Sequence, residues 1–125
     1  MDLNILILGL TYKNGTDTLR GSHALEIASK LSKTSGKIYL YDPQINELQY
    51  KLQKNIILKK KLLGLENINI IISTRSWNTQ LREILKLVKT SKRSLSIYDI
   101  NRNLFASLEK FKNLNCKYRT IGYSG

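Results

Sequence analysis

The run Ile5-Leu6-Ile7-Leu8-Gly9-Leu10, followed at once by the polar loop Thr11-Tyr12-Lys13-Asn14-Gly15-Thr16-Asp17-Thr18-Leu19-Arg20-Gly21-Ser22, limits this chain more than any other stretch. A near-continuous apolar strand needs cover on both faces, which it receives in the interior of a parallel sheet. The expected strand covers residues 4–10 and empties into a Gly- and hydroxyl-rich loop carrying Lys13 and Arg20, just before a helix pattern. It reads as a buried strand that delivers two cations to a ligand site. Gly9, Gly15 and Gly21 have neither the G-x-G-x-x-G spacing of a dinucleotide fingerprint nor the G-x-x-x-x-G-K-[ST] spacing of a P-loop. Phosphate bound by this loop is therefore bound by another arrangement.

Strand and helix patterns alternate along the rest of the chain. Ser22 is a plausible N-cap for a helix in which Ala24, Leu25, Ala28 and Leu31 repeat at helical spacing until Gly36 stops it. Residues 37–41 form a second strand, and Asp42-Pro43 turns the chain. Residues 45–53 suit a short helix through Ile45, Leu48 and Leu52, whereas 56–58 is too short a run for periodicity to type. Residues 68–72 are a β-branched strand, and 80–89 place Leu81, Ile84, Leu85 and Val88 on one helical face. Residues 95–98 are another strand ending at Asp99, Leu104, Leu108 and Phe111 mark a last helix, and 118–121 add an edge strand. Strands interleaved with helices through right-handed crossovers give an α/β fold: a three-layer, Rossmann-like, open and mainly parallel sheet with helices on both faces. In such a sheet ligands sit beyond the carboxyl ends of the strands. The loops after Leu10, Tyr41, Ile72 and Tyr98 reach that edge and would bring Lys13, Arg20 and Arg102 to one rim.

Composition fits a single domain over residues 1–125. At 42% hydrophobic the chain can bury a core, yet its longest apolar run falls far short of the ~18 residues of a membrane span. Asp2 stands where a signal peptide has a cationic start, so a cytoplasmic location is expected. Cys116 is the sole cysteine, which excludes an internal disulfide and a Cys-rich metal site. Lys+Arg 21 against Asp+Glu 9 give a formal charge of +12, which favours anionic partners. The lysines are scattered, whereas a nucleic-acid module clusters its cations, so solvated lysines are preferred over a nucleic-acid footprint.

The loop and its distant counterparts match a family. Gly9-Leu10-Thr11-Tyr12-Lys13, then Thr16-Asp17-x-x-Arg20-x-Ser22-x-Ala24-Leu25, resembles the opening of the C-terminal, nucleotide-sugar-binding domain of the UDP-glucose/GDP-mannose dehydrogenases. Tyr41-Asp42-Pro43 resembles that family's YDP, Thr74 with Trp77 is similar to its T-x-W, and Asp99 with Arg102 to its D-G-R. These motifs stand in the family's order across nearly the whole chain. The resemblance implies that Tyr12, Lys13 and Arg102 contact a UDP-sugar or related nucleotide sugar. It implies that Arg20 reaches toward NAD bound by another domain, with Asp17 holding the loop or orienting Arg20. A lysine and an arginine suit a pyrophosphate, the one as a mobile point charge and the other as a planar fork.

Each of these residues has a plainer reading beside it. Lys13 also reads as a solvated loop lysine, Arg20 as the ion-pair partner of Asp17, and Trp77 as a packing residue. Arg102 follows Asp99-Ile100-Asn101, one residue longer than D-G-R and without its glycine, and Ser76 lengthens T-x-W. Thr18 replaces the family's second aspartate, Gly21 its glutamate, Asn14-Gly15 its Pro-Asn, and His23 its proline, as in a diverged member. His23 reads as a neutral first-turn residue and Cys116 as an incidental or buried thiol.

No residue is assigned as catalytic and none as a metal ligand. By the resemblance, sugar oxidation requires an NAD-binding domain, a central helical region and a catalytic cysteine, and none of these is recognised in the chain. The expectation is a part of an NAD-dependent nucleotide-sugar 6-dehydrogenase, inactive alone, whose partners are its missing domains and whose NAD is held mainly by them. It would serve the making of sugar acids for surface polysaccharide. Two further classes stay open: a free-standing remnant acting in protein interaction or as a homo-oligomer, and a basic nucleic-acid-binding domain.

Overall fold

A computed structural model describes residues 3–10, 23–43, 45, 53–74, 80–92, 94–100 and 116–121. In chain order these form β1 (Ile5–Leu8), α1 (His23–Leu31), β2 (Ile38–Tyr41), β3 (Ile56–Lys59), β4 (Ile70–Ser73), α2 (Leu81–Thr90), β5 (Leu95–Ile100) and β6 (Cys116–Ile121). The six strands make one sheet in the order β3-β2-β1-β4-β5-β6, and every pairing is parallel. This is the doubly wound order, with the direction of winding reversing between β1 and β4.

All four residues of β1 are buried, as its unbroken apolar run requires. The pleat sends Ile5 and Ile7 to one face and Leu6 and Leu8 to the other. On the first face Ile5 and Ile7 join Ile38, Leu40 and Ile56 beneath Ala24 and Ala28 of α1. On the second, Leu6 and Leu8 meet Ile71, Leu95 and Ile97 beneath Ile84, Leu87 and Val88 of α2. The helices therefore cover opposite faces, as the sequence predicts. Small alanines on the buried side of α1 let its backbone come close to the sheet. The chain from β3 back to β4 crosses the α2 side of the sheet, burying Leu65 and Ile68 in the same core as α2.

Several boundaries shift by a few residues, as in β1, which covers 5–8 and not 4–10, and two assignments are decided by strand pairing. The run at 56–58 is a strand, decided by its pairing with β2, in which Ile38 lies against Ile56 and Tyr41 against Lys59. β6 begins at Cys116 rather than at residue 118, because its register with β5 carries Leu95 against Cys116 and Ile97 against Tyr118. The helices expected over 45–53 and around Leu104, Leu108 and Phe111 fall wholly or almost wholly outside the described residues, as does the Ser22 cap.

The amino edge of the sheet is closed by asparagines. Asn69 Oδ1 accepts from the Asn4 amide at 3.0 Å, and Asn4 Oδ1 accepts from the Lys37 amide at 3.0 Å. Asn55 Nδ2 donates to the carbonyls of Ser32 and Gly36, both at 2.8 Å. These bridges join the starts of β1, β2, β3 and β4 and use both ends of the carboxamide as donor and acceptor.

Ile71 lies fully buried between β1, β5 and α2. Ile71→Ala is expected to lower the unfolding free energy by about 2–5 kcal/mol in urea denaturation. Leu63→Ala, at a residue 61% exposed, should stay within about 0.5 kcal/mol of the parent.

Candidate functional site

The site expected from sequence is the carboxyl edge, and the structure shows how its foundations are tied. At the end of β1 the chain turns at Gly9, whose φ of 102° lies in the region that disfavours a side chain. The Gly9 amide donates to the Tyr41 carbonyl at 2.9 Å. The next amide, of Leu10, donates to Asp42 Oδ2 at 2.9 Å in a buried, charge-assisted hydrogen bond. Asp42 is only 2% exposed.

The other flank of β1 is held from β4. The Thr74 amide donates to the Leu8 carbonyl at 3.0 Å. Its hydroxyl hydrogen is shared between the carbonyls of Leu8, at 3.0 Å, and Gly9, at 2.9 Å. Three successive residues, Leu8, Gly9 and Leu10, are thus bonded to both neighbouring strands or the residues just beyond them.

Further along the same edge, Tyr41, Leu8, Ser73 and Asp99 stand in register across β2, β1, β4 and β5. Ser73 and Asp99 are both fully buried. The Tyr118 hydroxyl, reaching from β6, donates to Asp99 Oδ2 at 2.6 Å. This diagonal contact between adjacent strands fixes the carboxylate where β5 ends. An open cleft of about 330 Å³ lies toward the other end of this edge, between Tyr41, Lys60 and Lys61 and the start of α2 at Gln80 and Glu83.

Tyr12, Lys13, Arg20 and Arg102 all lie outside the described residues, as do Asp17, Ser76 and Trp77. The described chain marks the points from which the expected ligand contacts depart. Lys13 follows Leu10 by three positions, and Arg102 follows Ile100 by two. β1 and β5 are separated only by β4, so their carboxyl ends stand roughly 10 Å apart at the usual interstrand spacing.

Asp42, Thr74 and Asp99 hold the protein's own groups, a role that sequence reasoning did not give them. The signal was present in the motifs Tyr41-Asp42-Pro43, Thr74 with Trp77, and Asp99 with Arg102, each at a strand end. Cys116 packs against the α2-side core, and burial pushes its thiol up from an ordinary value of 9.0. That direction is opposite to the activation a nucleophilic thiolate needs. Among the described residues no cluster of three or more His, Cys, Asp or Glu could hold a metal ion, and no helix is long and apolar enough to cross a membrane.

The family model of the UDP-glucose/GDP-mannose dehydrogenase family, UDP binding domain, matches residues 6–106. The chain belongs to this family, as its C-terminal, UDP-binding domain. UDP-glucose 6-dehydrogenase of Rickettsia bellii is 31% identical over 126 residues, covering 95% of this chain and 28% of that protein. Its counterpart from Rickettsia typhi is 32% identical with the same coverage. The chain thus spans little more than a quarter of the length of these relatives. Among solved structures, aspartate dehydrogenase from Thermotoga maritima superposes with a TM-score of 0.59 at 15% identity, over 96% of this chain and 46% of that one. A D-isomer specific 2-hydroxyacid dehydrogenase from Lactobacillus delbrueckii ssp. bulgaricus gives 0.59 at 13% identity, over 98% and 39%. These two likenesses concern the fold alone.

The Tyr118 to Asp99 bond provides a direct check on the edge. Tyr118→Phe is expected to lower stability by about 1.5–3 kcal/mol, the range for a hydrogen bond to a charged group. Asp99→Asn, which keeps an oxygen acceptor in place, should lose less in the same denaturation series.

Proposed function

We propose that this domain binds a nucleotide sugar, in the first instance a UDP-sugar, as one part of an NAD-dependent nucleotide-sugar 6-dehydrogenase. The observation that carries this reading is the family match over residues 6–106, combined with the family-like motifs at the carboxyl edge of a parallel sheet. In this reading Lys13 and Arg102 grip the phosphates and Tyr12 lines the site. Arg20 faces NAD, which is held mainly by other domains. The roughly 10 Å between the ends of β1 and β5 supports the pairing, since two long cationic side chains starting there can reach one pyrophosphate. A net charge of +12 adds long-range attraction for such an anion. The domain would supply substrate binding, with hydride transfer and the covalent step carried out elsewhere in the enzyme. Its place would be the cytoplasm, in the supply of sugar acids for surface polysaccharide.

Calorimetric titration with UDP, UDP-glucose and GDP-mannose at low salt tests the reading. Saturable binding of the uridine ligands is expected. Lys13→Ala should weaken it by about tenfold or more, the loss of one hydrogen bond to a charged group. Binding of nucleic acid that ignores these nucleotides would replace this reading with that of a polyanion-binding domain.

A further inference from the structure

The cleft of about 330 Å³ at the carboxyl edge has no part in the reading above. It lies on the α2 side of the sheet, and its walls come from segments on either side of β1. Tyr41 ends β2, and Gln80 and Glu83 open the helix that follows β4. The winding reverses here, where an open α/β sheet receives its ligands. A further wall is the segment just after β3, in which Lys60 and Lys61 stand exposed, Leu62 packs on the α2-side core and Leu63 is 61% exposed. Gly64 ends this wall with a φ of 71° and nothing within 4 Å of where a Cβ would stand, so glycine serves the turn and not a close approach.

The lining combines three chemistries. Lys60 and Lys61 are cations, and among the described residues neither forms an ion pair. On the helix wall Gln80 and Glu83 offer side-chain acceptors, and among the described residues Glu83 has no cationic partner either. Tyr41, Leu62 and Leu63 add apolar surface. A bare phosphate would meet the lysines but also the Glu83 carboxylate, and it brings little to the acceptors. A neutral sugar would leave both cations without a partner. A small polyol carrying one anionic group satisfies all three: the anion pairs with the lysines, hydroxyls donate to Gln80 and Glu83, and the carbon skeleton lies on the apolar wall. The volume stands at the small end of the roughly 300–1,000 Å³ of small-ligand clefts, which suits one sugar ring and not a nucleotide sugar.

We infer that this cleft binds a monosaccharide-sized polyol bearing one carboxylate or phosphate, with Lys60 and Lys61 holding the anionic group and Glu83 the hydroxyls. The inference goes beyond the nucleotide-sugar reading and does not depend on it.

The test follows amide chemical shifts of the 125-residue chain during titration with glucuronate and with glucose 1-phosphate. Glucose and inorganic phosphate serve as half-ligands. Saturable shifts centred on Lys60 to Leu63 and Gln80 to Glu83 are expected with at least one sugar anion, and the better of the two identifies the anionic group. Glucose and inorganic phosphate should each bind about tenfold more weakly, since each forfeits hydrogen bonds to charged groups. Both lysines are exposed, so the double variant Lys60→Gln, Lys61→Gln keeps the fold and should weaken the sugar anions by about tenfold or more. Glu83→Ala should weaken the sugar anions but not inorganic phosphate, whereas a merely basic patch would hold every anion more tightly after that change. Four results overturn the inference: no shifts at the cleft with either sugar anion, inorganic phosphate bound as tightly as they are, shifts spread over remote lysines such as Lys30 and Lys117, or undiminished affinity in the double lysine variant.

Discussion

β1 has no solvent on either face and no open edge. It lies between β2 and β4, with the α1 core on one side and the α2 core on the other. A strand so enclosed must satisfy its backbone entirely within the sheet, because an unpaired amide or carbonyl there would be costly. Everything this segment offers to a ligand must therefore come from beyond its end. The register of all the other strands is referred to it through the pairs Ile5 with Ile38 and Ile5 with Ile70. Its exit is where the loop that the family motifs single out begins.

The two edges of the sheet solve the same backbone problem with different side chains. At the amino edge, neutral carboxamides of Asn4, Asn55 and Asn69 bridge strand starts, and each can donate and accept at once. At the carboxyl edge, the carboxylates of Asp42 and Asp99 accept from an amide and a phenol, and Thr74 donates to two carbonyls. Buried carboxylates beside a site meant for phosphate would repel it if they faced the ligand. Directing an oxygen of each into the protein is compatible with anion binding by cations carried on the neighbouring loops.

Much of the architecture was legible in the sequence, since buried parallel strands and amphipathic helices have strong periodicities. The burial of Ile84 and Val88 in α2 follows from their spacing alone. What stayed hidden depended on partners distant in the chain. Residues 56–58 become a strand only because β2 offers an edge, and Cys116 joins β6 only because Leu95 lies opposite. The asparagines look like compositional bias until their bridges are seen. Asp42, Thr74 and Asp99 were visible as motif letters, but a motif does not say whether a carboxylate faces a ligand or an amide. The cations expected to face ligand, Lys13 and Arg20 from the loop itself and Arg102 from the rim and the family pattern, lie outside the described residues.

The most direct measurement of the central claim, that ligand is received at the carboxyl edge around the end of β1, is a titration of the labelled domain with UDP followed by amide chemical shifts. The account predicts the largest changes at Tyr12, Lys13 and Arg102, smaller ones at Gly9, Leu10, Thr74, Asp99 and Ile100, and none at Asn4, Asn55 and Asn69. Shifts concentrated at the asparagine edge, or saturable binding that leaves the residues around Leu10 unmoved, would contradict it.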